Sequence, residues 1–179
     1  MSSIEEVPAG RAKRPRTALA GAYGHPVHPV LVTIPIGAWT SSIIIDLVAF
    51  SSDQPAGLAL ASAWLIGIGL VGALLAAVWG AIDLSTIAPN TRARRTGYTH
   101  ATLNVVAVVI FLIDLVLRRS QGLDDVRALP FVLSVVGLAV VGASGWLGGK
   151  LAYHYGVRVA DEATQSVGFV RAVPGDRRR

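Results

Sequence analysis

Cysteine is absent from the chain. Its absence excludes disulfides, thiolate metal sites, a cysteine nucleophile and an iron–sulfur cluster held by the chain's own thiolates. Charge is scarce as well: Asp, Glu, Lys and Arg make up 15% of 179 residues, against roughly 25% in ordinary soluble domains. The charges gather in the tails and two connections, and long stretches between them carry almost none. In a sequence that is 53% hydrophobic, this segregation argues against a soluble domain. The net charge of +5 raises nucleic acid as a partner, but the arginines flank apolar runs and no soluble basic domain remains to carry them. A membrane-surface role is the better reading, and no nucleic-acid partner is expected.

Four apolar runs are present, at about residues 29–50, 58–83, 98–117 and 130–152. Each is close to the ~20 residues an α-helix needs to cross about 30 Å of hydrocarbon. Continuous runs of this length do not match the alternating ~10-residue segments of a β-barrel. Inside lipid each backbone amide must be paired within its own segment, which leaves helices. The connections are short, so neighbouring helices should be antiparallel. The expected fold is all-α, an integral-membrane up-down four-helix bundle over 25–157. Residues 1–24, which lack a continuous apolar core, read as a retained, disordered basic tail rather than a signal peptide. Residues 158–179 read as a second basic tail. With both termini in the cytoplasm, thirteen of the sixteen Lys and Arg fall inside, and only Arg118, Arg119 and Arg127 fall outside. That bias sets the expected orientation.

Small residues mark the second and fourth spans. Gly69, Ala73, Ala76 and Gly80 share one side of the second, and Gly145 and Gly149 form a GxxxG in the fourth. Both patterns predict close helix approach. Gly67, Gly69 and Gly72 also match GxGxxG. No strand precedes them and no acidic ribose partner follows, so a dinucleotide site is not expected.

Polar residues inside spans are costly and each asks for a reason. On the first span His28, Val32, Pro35, Trp39, Ser42 and Asp46 fall on one stripe. Pro35 should bend the helix, because it lacks an N–H and its ring crowds the carbonyl of Leu31. On the third span His100, Asn104, Phe111 and Asp114 share a face. Both spans thus run from a histidine at the inner end to an aspartate near the outer end. Asp83 closes the second span on the inner side, and His25 and His154 lie at that same face. Imidazoles projecting from helix ends about 10 Å apart could meet at a metal or haem iron.

Each residue also admits a plainer role. His25 and His28 would order the chain before the first span, with Pro29 at its first turn. Asn104 would be interhelical glue, and Asp46 and Asp114 would reach water near the outer surface. Trp39, Trp64, Trp79 and Trp146 would be packing or interface anchors. His28 and His100, placed alike on two spans, favour a functional role as a pair. The part played by His154 stays open.

A set of short motifs recurs in order along residues 24–160. It comprises His25-Pro26-Val27-His28-Pro29 with Pro35-Ile36-Gly37-Ala38-Trp39, and then Gly80-Ala81-Ile82-Asp83. Next come Arg94-Arg95-Thr96-Gly97, His100 and Leu103-Asn104, followed by Gly145-Trp146-Leu147-Gly148-Gly149 and Gly156-Val157. In these the chain resembles the DUF2231 family of predicted bacterial four-span membrane proteins, some of which are fused to a Rieske iron–sulfur domain. The resemblance implies a multi-pass protein of the bacterial plasma membrane and, by association with Rieske domains, a link to membrane electron transfer. The chain departs from the family pattern at Thr33, Lys150 and Tyr155, where relatives often carry histidine or, at the second, glutamate. These departures leave His28 and His100 as the better ligand pair.

The first functional expectation is a redox membrane subunit. In it His28 and His100 ligate a b-type haem near the cytoplasmic face and pass electrons to quinone or a separate Rieske or other redox protein. The alternative is a transition-metal site of His25, His28, His100 and Asp83. A third reading has no chemistry: a membrane scaffold or assembly subunit, able to form an oligomer through its glycine faces. No catalytic residue is nominated.

Overall fold

The computed structural model describes residues 12–13 and 26–167; His25 and most of both expected tails lie outside the described residues. The chain forms α1 (Val27–Leu31), α2 (Thr33–Ala49), α3 (Pro55–Thr86), α4 (Arg92–Gln121) and α5 (Ala128–Gly149). A π-helical turn at Lys150–His154 extends α5, and a short α6 (Glu162–Val167) follows. Among the described residues there is no strand. Among the described residues four spans are long and apolar enough to cross a membrane: Val27–Ala49, Pro55–Thr86, Arg92–Gln121 and Ala128–His154. The second and third are longer at both ends than the apolar runs alone predict. Polar residues such as Arg92 and Ser85 continue the backbone ladder past the hydrocarbon-length segment.

The first span is broken at Val32, between α1 and α2. Pro35 accounts for it: with no N–H to give, it leaves the carbonyl of Leu31 without its helical donor. The Ile36 N–H still reaches the Val32 carbonyl at 3.3 Å, so the helix resumes at once. Thr91 begins α4 with a side-chain cap, its Oγ accepting from the Arg94 N–H at 3.1 Å. Replacing Thr91 with alanine should therefore lower thermal stability in detergent by about 1 kcal/mol. An unchanged melting curve would show that the cap contributes nothing to this long helix.

The spans pack in sequence and the first also touches the fourth, closing a four-helix bundle. The seam between α3 and α4 is the loosest of the three sequential ones. At mid-height sits a plug of Trp39, Ile66, Leu70 and Phe111. The rings of Trp39 and Phe111 stack at 4.0 Å and 11°, and the Trp39 indole N–H donates to the Ile66 carbonyl at 3.3 Å. Trp39 thus packs, as its position on the stripe allows, whereas Trp64 and Trp146 face outward.

Glycine makes the plug possible. A Cβ on Gly69 would lie 2.2 Å from the Trp39 ring nitrogen, and one on Gly137 would lie 2.7 Å from Phe111. The GxxxG of the fourth span behaves differently. Gly145 has nothing within reach of an added Cβ, and Gly149 meets only Tyr153 from its own helix. The glycines of that span that admit a neighbour are Gly137 and Gly148. Spacing in the sequence does not say which side of a lipid-facing helix turns inward when both sides are apolar.

The chain beyond the fourth span turns back over the bundle. The Val157 N–H bonds to the Leu151 carbonyl at 2.9 Å, and the Arg158 N–H reaches the Ala12 carbonyl at 2.9 Å. Ala12, Ile87 and Val157 form a small core there. Residue 158 is therefore part of the folded unit and not the start of a tail.

Candidate functional site: a histidine cavity and a buried arginine clasp

Two polar clusters occupy opposite ends of the bundle, with the aromatic plug between them. At the histidine end, His28 comes from α1 and His100 from the second turn-pair of α4. Their ring centroids are 6.3 Å apart, with planes at 89°. Each ring is tied to a different neighbouring helix. His28 Nδ1 lies 2.9 Å from the Ala76 carbonyl of α3, and His100 Nδ1 lies 2.8 Å from the Ser144 carbonyl of α5. A carbonyl only accepts, so both Nδ1 atoms carry a proton, and it is Nε2 that presents the lone pair when such a ring is neutral.

The two Nε2 atoms differ in what they meet. Asn104 Nδ2 approaches His100 Nε2 at 3.1 Å and the His100 carbonyl at 3.0 Å. Two acceptors facing one amide nitrogen settle the orientation of Asn104: both of its hydrogens are donated to His100, and its Oδ1 is left as an acceptor. Asn104 therefore serves its own helix and does not glue two helices together. His28 Nε2 bonds to no described residue. Glycines make room for both rings, with Gly80 against His28 and Gly148 against His100, where an added Cβ would come within 3.0 and 3.2 Å of the imidazole carbons.

The pair borders a cavity of about 340 Å³. Its polar lining is His28, Asp83, His100, Asn104 and Arg158; the rest is alanine, glycine, proline, leucine, isoleucine and valine from all four spans, the α3–α4 connection and the returning strap. Arg158 pairs with Asp83 at 3.0 Å. It does so from a left-handed backbone conformation, φ 61°, held by the strap. Sequence reasoning missed Arg158, because nothing in a basic tail announces that one arginine folds back onto a span. Asp83 is accordingly engaged with Arg158. Among the described residues no three His, Asp or Glu side chains gather closely enough to hold a metal ion, and His25 lies outside the described residues. His154 packs edge-on against Tyr155 at 4.9 Å and does not line the cavity.

At the other end, Asp46 and Asp114 are fully buried rather than open to water. The reason is Arg118, which the charge count places in an outer connection but which is itself 5% exposed. Its NH1 and NH2 grip Asp46 Oδ1 and Oδ2 at 2.9 and 2.6 Å. Its Nε donates to Asp114 Oδ1 at 2.8 Å. The remaining donors reach Ser62 Oγ at 3.3 Å and Ser134 Oγ at 3.2 Å, and Ser134 in turn donates to Asp114. All five guanidinium N–H groups are thus engaged, with one partner residue or more on every span. The i,i+4 spacing of Asp114 and Arg118 was the available signal. The reach across 72 positions to Asp46 had none.

This is a multi-pass helical membrane protein with a closed ionic clasp at one end and a histidine-lined cavity at the other. The DUF2231 family, described as a predicted membrane protein, matches residues 24–161, and the chain belongs to it. No curated protein and no solved structure matches the chain.

Proposed function

We propose that the cavity is the working site, and that His28 and His100 act together on one bound redox group, making the protein a small electron-transfer subunit of the membrane. The observation that supports this is the shared tautomer. Both Nδ1 protons are tied to backbone carbonyls of neighbouring helices, the arrangement by which proteins orient imidazoles that bind through Nε2. On the distribution of basic residues, this end faces the cytoplasm.

Haem b is the metal-centred form of the reading. It would supply a one-electron redox couple, with His28 and His100 as its protein ligands. Two imidazoles suit it by type, and the two rings lie beside each other, 6.3 Å between centroids. His100 becomes a ligand only when Asn104 gives up its Nε2.

The test is to purify the full chain from native membranes and measure its bound redox groups. Haem would show as a Soret band with reduced α and β bands; an organic group would show by ultraviolet difference spectrum after solvent extraction. One group per chain is expected, lost from both His28→Ala and His100→Ala. A chain that carries none, or variants that retain it in full, would remove the redox reading.

A further inference from the structure

The geometry points to a lipid-soluble hydroquinone, entering sideways from the bilayer between α3 and α4, as the occupant of the histidine cavity. This rests on the reading that the histidine pair acts on one redox group, here His28 directly and His100 by orienting Asn104, and it names that group.

The first observation is where the cavity opens. Ala77 and Ala81 of α3 and Val105 of α4 line it, yet all three are also exposed on the outer surface of the bundle. Val105 is 63% exposed. Ala77 lies six residues inside the end of the second apolar run at 83, and Val105 seven inside the start of the third at 98. At 1.5 Å per residue these depths are about 9 and 10 Å, the same level on both helices and within the hydrocarbon. The opening also falls on the loosest sequential seam of the bundle. Alanine at two of its edges leaves the gap unfilled. A ligand using this mouth comes from lipid, which selects for an apolar molecule.

The second observation is what the cavity's polar end offers. Among the described residues nothing donates to His28 Nε2 or Asn104 Oδ1; the Nδ1 proton of His28 is committed to a carbonyl and both amide hydrogens of Asn104 to His100. The charges of Asp83 and Arg158 are matched to each other, so the pocket asks for a neutral guest. An acceptor that a guest covers selects for a hydroxyl and discriminates against a carbonyl oxygen in the same place. A phenolic hydroxyl meets that need; the oxidised quinone, which only accepts, does not.

The third observation is size. A cavity of about 340 Å³ is at the small end of the range for organic ligands, about 300–1,000 Å³. It takes a substituted aromatic ring and leaves a hydrocarbon tail to run out through the α3–α4 mouth into lipid.

The experiment uses the full chain in nanodiscs, with a decyl-tailed benzohydroquinone and its quinone as probes and intrinsic tryptophan fluorescence as the readout. The hydroquinone is expected to bind at least about tenfold more tightly than the quinone. His28→Phe, which keeps the ring and removes the acceptor, should abolish that preference. Val105→Trp adds bulk at an exposed position of the mouth, where folding is not at stake, and should weaken binding of both forms by about tenfold or more. Equal affinity for the two forms, or unchanged binding in Val105→Trp, would overturn the inference. A haem band lost in the histidine variants, with no hydroquinone binding, would overturn it and leave the redox reading of the pair in place. Neither haem nor hydroquinone would remove both.

Discussion

Arg118→Leu is expected to destabilise the bundle by about 3–5 kcal/mol, the usual loss when one partner of a buried ion pair is removed. The substitution leaves Asp46 and Asp114, both fully buried, with no countercharge and with three of their four carboxylate oxygens stripped of a donor. Ser62 and Ser134 lose their guanidinium partner as well. Lysine does not rescue the site, because a single ammonium cannot reproduce a five-donor planar fork spread over four helices. The informative control is the triple variant Asp46→Leu, Asp114→Leu, Arg118→Leu. Removing the whole network together replaces ions by apolar groups and should be far milder than the single change. Both are read by thermal unfolding in mild detergent. If Arg118→Leu melts with the wild type, the clasp is not what joins the spans at this end. If the triple variant is as damaged as the single one, an uncompensated charge is not the cause.

Trp39→Ala should cost about 3–5 kcal/mol, the range for deleting a large buried aromatic. Trp39 is 2% exposed and stacks on Phe111 at mid-bundle, and nothing nearby can collapse into its place without unstacking that ring. Gly69→Ala tests the same contact from the other side. Its new Cβ would fall 2.2 Å from the indole nitrogen, and the indole cannot retreat because Phe111 backs it. A loss of about 1–3 kcal/mol from overpacking is expected. The double variant makes the argument specific. Once Trp39 is alanine, Gly69→Ala should cost almost nothing, giving a coupling energy of about 1–3 kcal/mol. Additive losses in the unfolding curves would mean that the two positions act independently and that the glycine is not there to seat the ring.

His28, His100, Asp46 and Asp114 were legible because each is a polar residue in a run too apolar to tolerate one without a reason. Their partners were not legible. The histidines were expected to turn towards one ion, and the structure anchors them first to carbonyls of α3 and α5. Backbone carbonyls carry no sequence signature, so which of them a ring will find depends on helix rotation and register. Asp46 and Asp114 admitted a watery surface position, because Arg118 counted as a charge of the outer connection. Only the extension of α4 to Gln121 brings that arginine inside. Gly145 and Gly149 show the reverse limit: a motif was present, but the face that carries it turns outward.

By itself the sequence determined the number of spans, their helical state, the break near Pro35 and the placement of a histidine and an aspartate at opposite ends of two of them. Span length against bilayer thickness and the obligatory pairing of backbone amides in lipid leave no other solution. The tertiary structure alone decided which helix faces meet. It joined Arg118 to both aspartates, returned Arg158 to Asp83 and set a cavity beside His28. In a bilayer the apolar faces of a helix are nearly equivalent to the solvent around it. Rotation about each axis is then set by a few small residues and polar contacts between spans, and those appear only when the helices are assembled.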